Sequence, residues 1–265
     1  MMQLRAGLGI SVLLAGLAVA TSARAESFST NRHPNPPAQA PAAPLLGGCG
    51  DTQFTESLSQ AIVNGNSVSC NNGAGHADNS YYRAFDLPTF GITSAFSVCE
   101  VQIGIEAAES GGGVGQPITL NLYVNSGAPF PGGALIPIGT ANFTIADQNQ
   151  TIVSLPVTGR VPAGSELVVE IFTPNGEAQG NFFFIGSNPD GQTAPSYLRA
   201  PDCGVLTPTT TADLGFAGMD IVMNVRGTSI GGSVPLLSHL GIGLLLVAFS
   251  LIGVVYLRGD YRLSR

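Results

Sequence analysis

Apolar and polar residues alternate with a period of two through the middle of the chain. The segment 95–106 shows this most clearly, since its two faces differ in character. One face carries Cys99, Val101, Ile103 and Ile105, and the other carries Glu100, Gln102 and Glu106. A period of two is typical of a β-strand with one buried face. The pattern therefore predicts a strand with Cys99 on the core side.

Similar short segments recur between residues 49 and 227, separated by turns rich in Gly, Pro, Asn and Asp. The predicted strands cover 81–87, 95–106, 117–125, 135–145, 151–157, 166–173, 181–186 and 219–225. No segment of this region has the 3.6-residue period of an amphipathic helix. Short strands at even spacing are typical of antiparallel two-sheet sandwiches. We predict an all-β, jelly-roll-like sandwich domain spanning 49–227.

The first 25 residues have the features of a secretory signal peptide. Arg5 precedes the apolar run 6–20, and Ala23 and Ala25 form an A-x-A cleavage pattern. We expect cleavage after Ala25. The following segment, 26–48, contains five prolines and several alanines, which favours an extended spacer.

The C-terminal end predicts a membrane span. A short hinge, 228–233, leads into an uncharged run that begins at Leu240 and ends at Leu257. As a helix, this run would be about 27 Å long, close to the thickness of a bilayer's hydrocarbon core. Arginines 258, 262 and 265 follow it. Because positive charge favours the cytoplasmic side, we expect the C-terminus in the cytoplasm and the domain outside the inner membrane.

Charge excludes one class of partner. The predicted exported part, 26–233, holds five arginines against sixteen acidic residues, a net charge of −11. Such a surface is unsuited to a phosphate backbone, so we expect no nucleic-acid partner. An acidic surface is consistent with solubility outside the cell.

The exported part contains four cysteines, an even number that favours two disulfides in an oxidising compartment. No C-x-x-C pair is present, which argues against a zinc knuckle or a thioredoxin-like site. Four cysteines allow three pairings, and we favour Cys70–Cys203 with Cys49–Cys99.

Candidate catalytic residues are sparse. His76 is the one histidine of the predicted domain, so a zinc or Ser-His-Asp constellation lacks its partners, and an exposed or loop-bracing role is favoured. Glycosidases need two carboxylates about 5–10 Å apart. Glu100 and Glu106 are about 20 Å apart along their strand, and Glu166 and Glu170 about 13 Å. We interpret these carboxylates as solvated, although cross-strand pairs stay open.

Two binding roles also stay open. Structural calcium has loop candidates in Asp51, Asp78, Asp190 and Asp202, but Asx turns are the simpler explanation of these residues, and we expect no metal or other cofactor. Aromatic side chains that could stack on sugar rings are also present, although the chain has no tryptophan. They are Tyr81, Tyr82, Phe182, Phe183, Phe184 and Tyr197.

The start of the tail carries a recognisable motif. Val234, Pro235, Leu237, Ser238 and Gly241 match the I/V-P-T-L-S-x-W-G pattern, while Leu236 and Leu240 replace its Thr and Trp. The tail thus resembles the IPTL-type C-terminal sorting signals of Gram-negative bacteria. This resemblance implies recognition by an exosortase-like membrane protease and transfer to the cell surface or its matrix. A plain membrane anchor is the alternative.

The domain itself is similar to a group of secreted bacterial β-sandwich domains. The similarity lies in four short segments, 79–87, 104–106, 184–188 and 202–204. It implies a fold and a compartment, and no activity. The sequence predicts a non-enzymatic exported protein of the cell surface or matrix, with a carbohydrate-binding module as the alternative and a glycan hydrolase as the third hypothesis.

Overall fold

The computed structural model describes residues 25–31 and 49–231 of the chain. The predicted signal peptide up to residue 24, most of the predicted spacer and the predicted sorting tail lie outside the described residues. The described part contains fifteen strands and three short 3-10 helices. The all-β prediction is confirmed, and its antiparallel sheets form a sandwich-like arrangement.

A six-stranded antiparallel sheet forms one layer, which we call the front sheet. Its order is β13-β12-β4-β9-β6-β7. The strands are β4 (Asn79–Asp86), β6 (Gln116–Ser126), β7 (Ala134–Ile145), β9 (Glu166–Thr173), β12 (Ser196–Ala200) and β13 (Val205–Thr210).

The other layer, the back sheet, is built around the long strand β5. One edge of β5 pairs with β8. Its other edge pairs with β15 and, further along β5, with β10. Strand β2 pairs with the far edge of β15. The strands are β2 (Thr52–Thr55), β5 (Ala95–Glu109), β8 (Gln148–Val161), β10 (Phe182–Ile185) and β15 (Met223–Ile230).

Smaller elements complete the described part. Two further strand pairs join β1 (Ser27–Thr30) to β3 (Val68–Asn71) and β11 (Ser187–Asn188) to β14 (Asp220–Ile221). The 3-10 helices are Leu87–Phe90, Glu177–Gln179 and Pro201–Cys203.

The main core lies between the two sheets. Alternate residues of every long strand enter it, as the period of two requires. The front sheet contributes Tyr81, Phe85, Leu120, Leu122, Val169, Ile171 and Leu198, and the back sheet contributes Phe54, Phe96, Val101, Ile103, Leu155, Phe183 and Val225. All of these are at most 5% exposed.

A β-bulge at Cys99 changes which face of β5 is buried. The pairing of β5 with both β8 and β15 shifts register between Val98 and Glu100. An extra residue in one strand reverses the alternation beyond it. Phe96 and Val98 are therefore buried before the bulge, and the core face continues from Val101. The prediction that Cys99 lies on the core face is wrong, because Cys99 sits half-buried at the bulge itself.

The disulfides join the pairs that the sequence favours. Cys49 bonds to Cys99 with a Cα–Cα distance of 5.5 Å, and Cys70 bonds to Cys203 with a distance of 5.9 Å. The first bond ties the start of the domain to the bulge of β5. The second ties β3 to the helix that follows β12.

Strand β1 lies inside the segment 26–48 for which the sequence predicts an extended spacer. Its four residues pair with β3 in antiparallel register, from Ser27 opposite Asn71 to Thr30 opposite Val68. Phe28 packs on the Cys70–Cys203 cluster and against the ring of Phe216, with centroids 5.7 Å apart. The first residues after the predicted cleavage site therefore belong to the folded part.

Candidate functional site

His76 braces a loop from a buried position. Its ring is fully buried, with Nδ1 2.8 Å from the carbonyl oxygen of Ala77. Its backbone N–H donates to Asn181 and its carbonyl accepts from Gly176. Nε2 has no hydrogen-bond partner. The loop-bracing prediction is confirmed and the exposed alternative is wrong, because the 175–181 loop covers the ring.

Three of the four strand carboxylates interpreted as solvated are buried, so that interpretation is wrong. Glu100, Glu106 and Glu170 are 3%, 0% and 8% exposed, respectively. Alternation places them away from the main core, but the segment 65–67 covers Glu106, and side chains of neighbouring strands surround Glu100 and Glu170. Each carboxylate is held by donors from the covering or neighbouring groups, which offsets the cost of removing it from water.

Glu106 holds the segment that precedes β3. Its Oε1 accepts from the Gly65 N–H and its Oε2 from the Ser67 N–H, both at 2.8 Å. Burial raises the pKa of Glu106, while these N–H donors act in the opposite direction. Glu100 lies on the other part of β5 and pairs with Arg226 at 3.2 Å.

Glu170 is the centre of a polar network on the outer face of the front sheet. Its Oε1 accepts from the Tyr82 hydroxyl at 2.7 Å, and its Oε2 accepts from the Tyr123 hydroxyl at 2.8 Å and from Asn121 Nδ2 at 3.0 Å. Burial, and then the Glu170 charge, raise the pKa of both tyrosines. Glu170 therefore serves as a hydrogen-bond acceptor that orders three neighbouring strands.

The sugar-stacking candidates do not form an exposed platform. Tyr81, Phe183 and Phe184 are at most 2% exposed, and Phe182 is half-buried. Tyr82 and Tyr197 lie on the outer face of the front sheet, where the β6–β7 loop covers them with Phe130. The Phe130 ring lies 5.6 Å from that of Tyr82 and 4.8 Å from that of Tyr197, centroid to centroid.

A cleft opens where the β6–β7 loop meets the end of the front sheet. It comprises two adjoining cavities of about 490 and 410 Å³, which share Asp86, Pro129 and Glu166. Its apolar walls are Ala84, Phe90, Pro129, Phe130, Pro195 and Tyr197, and its polar lining includes Glu56, Asp86, Thr89, Asn125, Ser165, Glu166 and Thr193. Apolar walls with a few converging polar groups are typical of small-ligand sites.

Carboxylates give the cleft a negative character. Asp86 and Glu166 are directly opposite each other in the pairing of β4 with β9. Glu166 is held in place, since its Oε2 accepts from Asn125 Nδ2 at 2.5 Å and from the Phe130 N–H at 3.0 Å. Burial and then the Glu166 charge raise the pKa of Tyr197. Glu56 accepts a hydrogen bond from the Thr193 hydroxyl, whereas Asp86 is exposed.

A buried arginine supports the cleft from the core side. Arg83 is fully buried on β4, on the same face as Tyr81 and Phe85. Its guanidinium donates to the carbonyls of Ile221 and Ala194 and to the side chains of Ser57 and Gln192, at 2.7–3.0 Å. Burial lowers its pKa to about 10, and Glu56 and Asp220 oppose that shift. Arg83 is not among the sequence-based candidates, and the signal for it is a single charged residue at an inward-facing position of an apolar strand.

The acidic loop residues do not gather into a metal site in the described ranges. Over residues 25–31 and 49–231, no group of three or more His, Cys, Asp or Glu side chains is placed to hold a metal ion. Asp78 instead accepts the Asn175 N–H at 2.6 Å, which joins two loops. Asp51 and Asp190 are exposed, and Asp202 lies in the helix Pro201–Cys203.

The predicted sorting motif, from Val234 to Gly241, and the predicted span lie outside the described residues. Among the residues that the structure does describe, no helix is long and apolar enough to cross a bilayer.

Comparison with protein families, with curated proteins and with solved structures finds no match to this chain.

Proposed function

We propose that the chain is an exported, non-enzymatic protein of the cell surface or extracellular matrix. The observation that carries this proposal is the pairing of all four cysteines in two disulfides, which leaves no free thiol. Disulfides persist in oxidising compartments outside the cytoplasm. This agrees with the signal peptide that the sequence predicts before residue 26.

The hydrogen bonds that the buried carboxylates accept within the fold support a non-enzymatic role. Glu106 and Glu170 each accept hydrogen bonds on both oxygens from groups of the fold. A general acid or base needs to reach a proton of the substrate. Carboxylates in this arrangement stabilise the sandwich and are not available for that step.

The connectivity we assign to the sandwich is jelly-roll-like. Its support is the way in which successive long strands change layers. The chain passes from β4 in the front sheet to β5 in the back sheet, then to β6 and β7 in front, β8 behind, β9 in front and β10 behind. Such alternation between layers is characteristic of double-sheet jelly rolls.

The tail is proposed to anchor the protein in the inner membrane and to present it to an exosortase-like protease. Truncation before Pro235 is expected to release the domain into the periplasm or medium, because the only predicted C-terminal span is then absent. Cell fractionation measures this. Unchanged retention in the membrane would contradict the anchoring.

A matched variant separates sorting from plain anchoring. Pro235→Ala keeps the whole apolar run and alters only the motif. If the tail is a sorting signal, this variant accumulates in the inner membrane with an intact mass that includes Arg265, while the unaltered protein is shortened. Retention of Arg265 in both proteins would identify a plain anchor.

The cleft favours a second function, namely binding of a neutral polysaccharide. Its carboxylates can accept hydrogen bonds from sugar hydroxyls, whereas they would repel an acidic polymer. Asp86→Asn is expected to weaken binding about tenfold, the usual consequence of losing one hydrogen bond to a charged group. A glycan array followed by calorimetry on the hit measures this.

The control for the cleft is Asp213→Asn. Asp213 is exposed, lies after β13 and does not line the cleft, so this variant makes the same change of charge elsewhere. Equal weakening by both variants would indicate a general charge effect. An array without any binding would refute the second function and leave the first one standing.

A further inference from the structure

The side-chain donors that line the cleft are nearly all used within the fold. The hydroxyls of Thr89, Thr193 and Tyr197 each donate to a carbonyl or carboxylate oxygen of the protein. Asn125 Nδ2 likewise donates to two groups of the protein. Among the described residues of the lining, Ser165 is left as a side-chain donor. The cleft therefore has few donors to offer a ligand.

Acceptors, by contrast, are available in the cleft. Asp86 is exposed, and its carboxylate accepts no hydrogen bond from the described residues. Both hydrogen bonds to Glu166 fall on Oε2, which leaves Oε1 for a ligand. Asn125 is 8% exposed, and its Oδ1 has no hydrogen-bond partner among the described residues. The lining thus favours a ligand that brings its own donors.

An apolar pocket lies beside the two carboxylates. Its residues, Ala84, Phe130 and Tyr197, belong to one apolar cluster, and all three line the cleft. Ala84 and Asp86 are on the same face of β4, because they are two residues apart, and this step along a strand is about 6.6 Å. A ligand group that bridges the two therefore needs a donor at one end and an apolar atom at the other.

We propose that the cleft recognises the acetamido group of a 2-acetamido sugar, whose N–H donates to the Asp86–Glu166 carboxylate pair while its methyl group occupies the apolar pocket. From the acceptor oxygen to the methyl carbon, such a group spans about 5 Å. This length is close to the step between Asp86 and Ala84. The proposal rests on the polysaccharide binding proposed above and specifies the sugar that is bound.

A free amine would suit the carboxylates but not the pocket. An ammonium group has three donors and no apolar end. It would also lose hydration beside the apolar pocket, which is costly for a charged group. Because Asp86 is exposed, salt screens its attraction for a cation. The acetamido group is uncharged, in agreement with the neutral polysaccharide proposed as the ligand.

Three tetrasaccharides with the same 1,4-linked backbone test this assignment. At carbon 2 of each sugar, cellotetraose carries a hydroxyl, chitotetraose an acetamido group, and the glucosamine tetramer an ammonium group. Calorimetry on the exported full-length protein, in a detergent without a sugar headgroup, gives the three Kd values. We expect chitotetraose to bind about fourfold more tightly than cellotetraose, the factor that burial of one methyl group brings.

A variant that fills the pocket tests the position of the methyl group. Ala84→Leu is expected to reduce the preference for chitotetraose to less than twofold. Ala212→Leu makes the same change at an exposed position outside the cleft and should keep the full preference. Urea unfolding midpoints show whether both variants fold. A folded Ala84→Leu protein with an unaltered preference would contradict the proposal, and the comparison on the unaltered protein needs no variant.

The three ligands distinguish the possible failures. Equal affinities for chitotetraose and cellotetraose would overturn the acetamido assignment and leave polysaccharide binding intact. Tightest binding of the glucosamine tetramer would also overturn it, since charge would then select the ligand. Absence of binding for all three would overturn it as well, and the glycan array decides separately whether the cleft binds any polysaccharide.

Discussion

Replacing Arg83 with methionine is expected to destabilise the domain by about 3–5 kcal/mol, the range for breaking a buried charged group away from its partners. Methionine keeps much of the apolar volume and removes all five hydrogen bonds of the guanidinium. The carbonyls of Ile221 and Ala194 would then be left without these donors. The charges of Glu56 and Asp220 would also lose the cation that faces them.

Urea denaturation, followed by tyrosine fluorescence, measures this loss. Arg160→Met is the matched control, because Arg160 is an exposed arginine on β8. Surface substitutions of this kind usually change the unfolding free energy by no more than about 0.5 kcal/mol. Arg83→Lys is expected to fall between the two, since an ammonium group keeps the charge but cannot present the planar set of donors. Equal midpoints for Arg83→Met and Arg160→Met would contradict the structural role assigned to Arg83.

Replacing both Cys70 and Cys203 with alanine removes their disulfide, and this is expected to be the second large effect on the free energy of unfolding. The bond closes a loop with a sequence separation of 133 residues. Chain-entropy arguments predict a loss of about 5 kcal/mol for a loop of this length, because the unfolded chain gains the freedom that the bond removes. The small apolar cluster of Cys70, Ala77, Ala200 and Cys203 under β1 would also loosen.

The other disulfide provides the comparison. Cys49–Cys99 spans a separation of 50 residues, for which the same argument predicts about 4 kcal/mol. Thermal and urea unfolding of the two double variants should therefore rank Cys70–Cys203 as the more important bond. The reverse order would indicate that strain or residual structure in the unfolded chain outweighs loop length.

Much of the sandwich could be predicted because alternation is a local signal. The bounds 166–173 predicted for β9 are those of the structure, and the predicted 135–145 differs from β7 by one residue. Burial on one face follows from a period of two without knowledge of the partner strands. The bulge at Cys99 could not be found in this way, since it depends on the register of β8 and β15 beside β5.

The candidate site was less predictable, because alternation says which face a residue occupies and not what covers that face. The sequence pattern predicts that Glu170 is a solvated carboxylate, whereas in the structure Tyr82 and Tyr123 donate hydrogen bonds to it from neighbouring strands. The cleft depends on a loop, 127–133, that folds over the sheet and places Phe130 beside Tyr197. Such long-range contacts leave no periodic signal in the chain.

The position of β15 has a consequence for the timing of assembly. This strand lies between β5 and β2 in the back sheet, although it is the last strand along the described chain. In a polypeptide that crosses the membrane with its N-terminus first, β2 emerges early and must wait for about 170 further residues before its partner arrives. On the proposed export route, the sandwich can close only after Ile230 has been translocated, when the run 240–257, which we propose to span the membrane, is about to enter the translocation channel. Folding of the domain and arrest of the chain in the bilayer would thus be nearly simultaneous events.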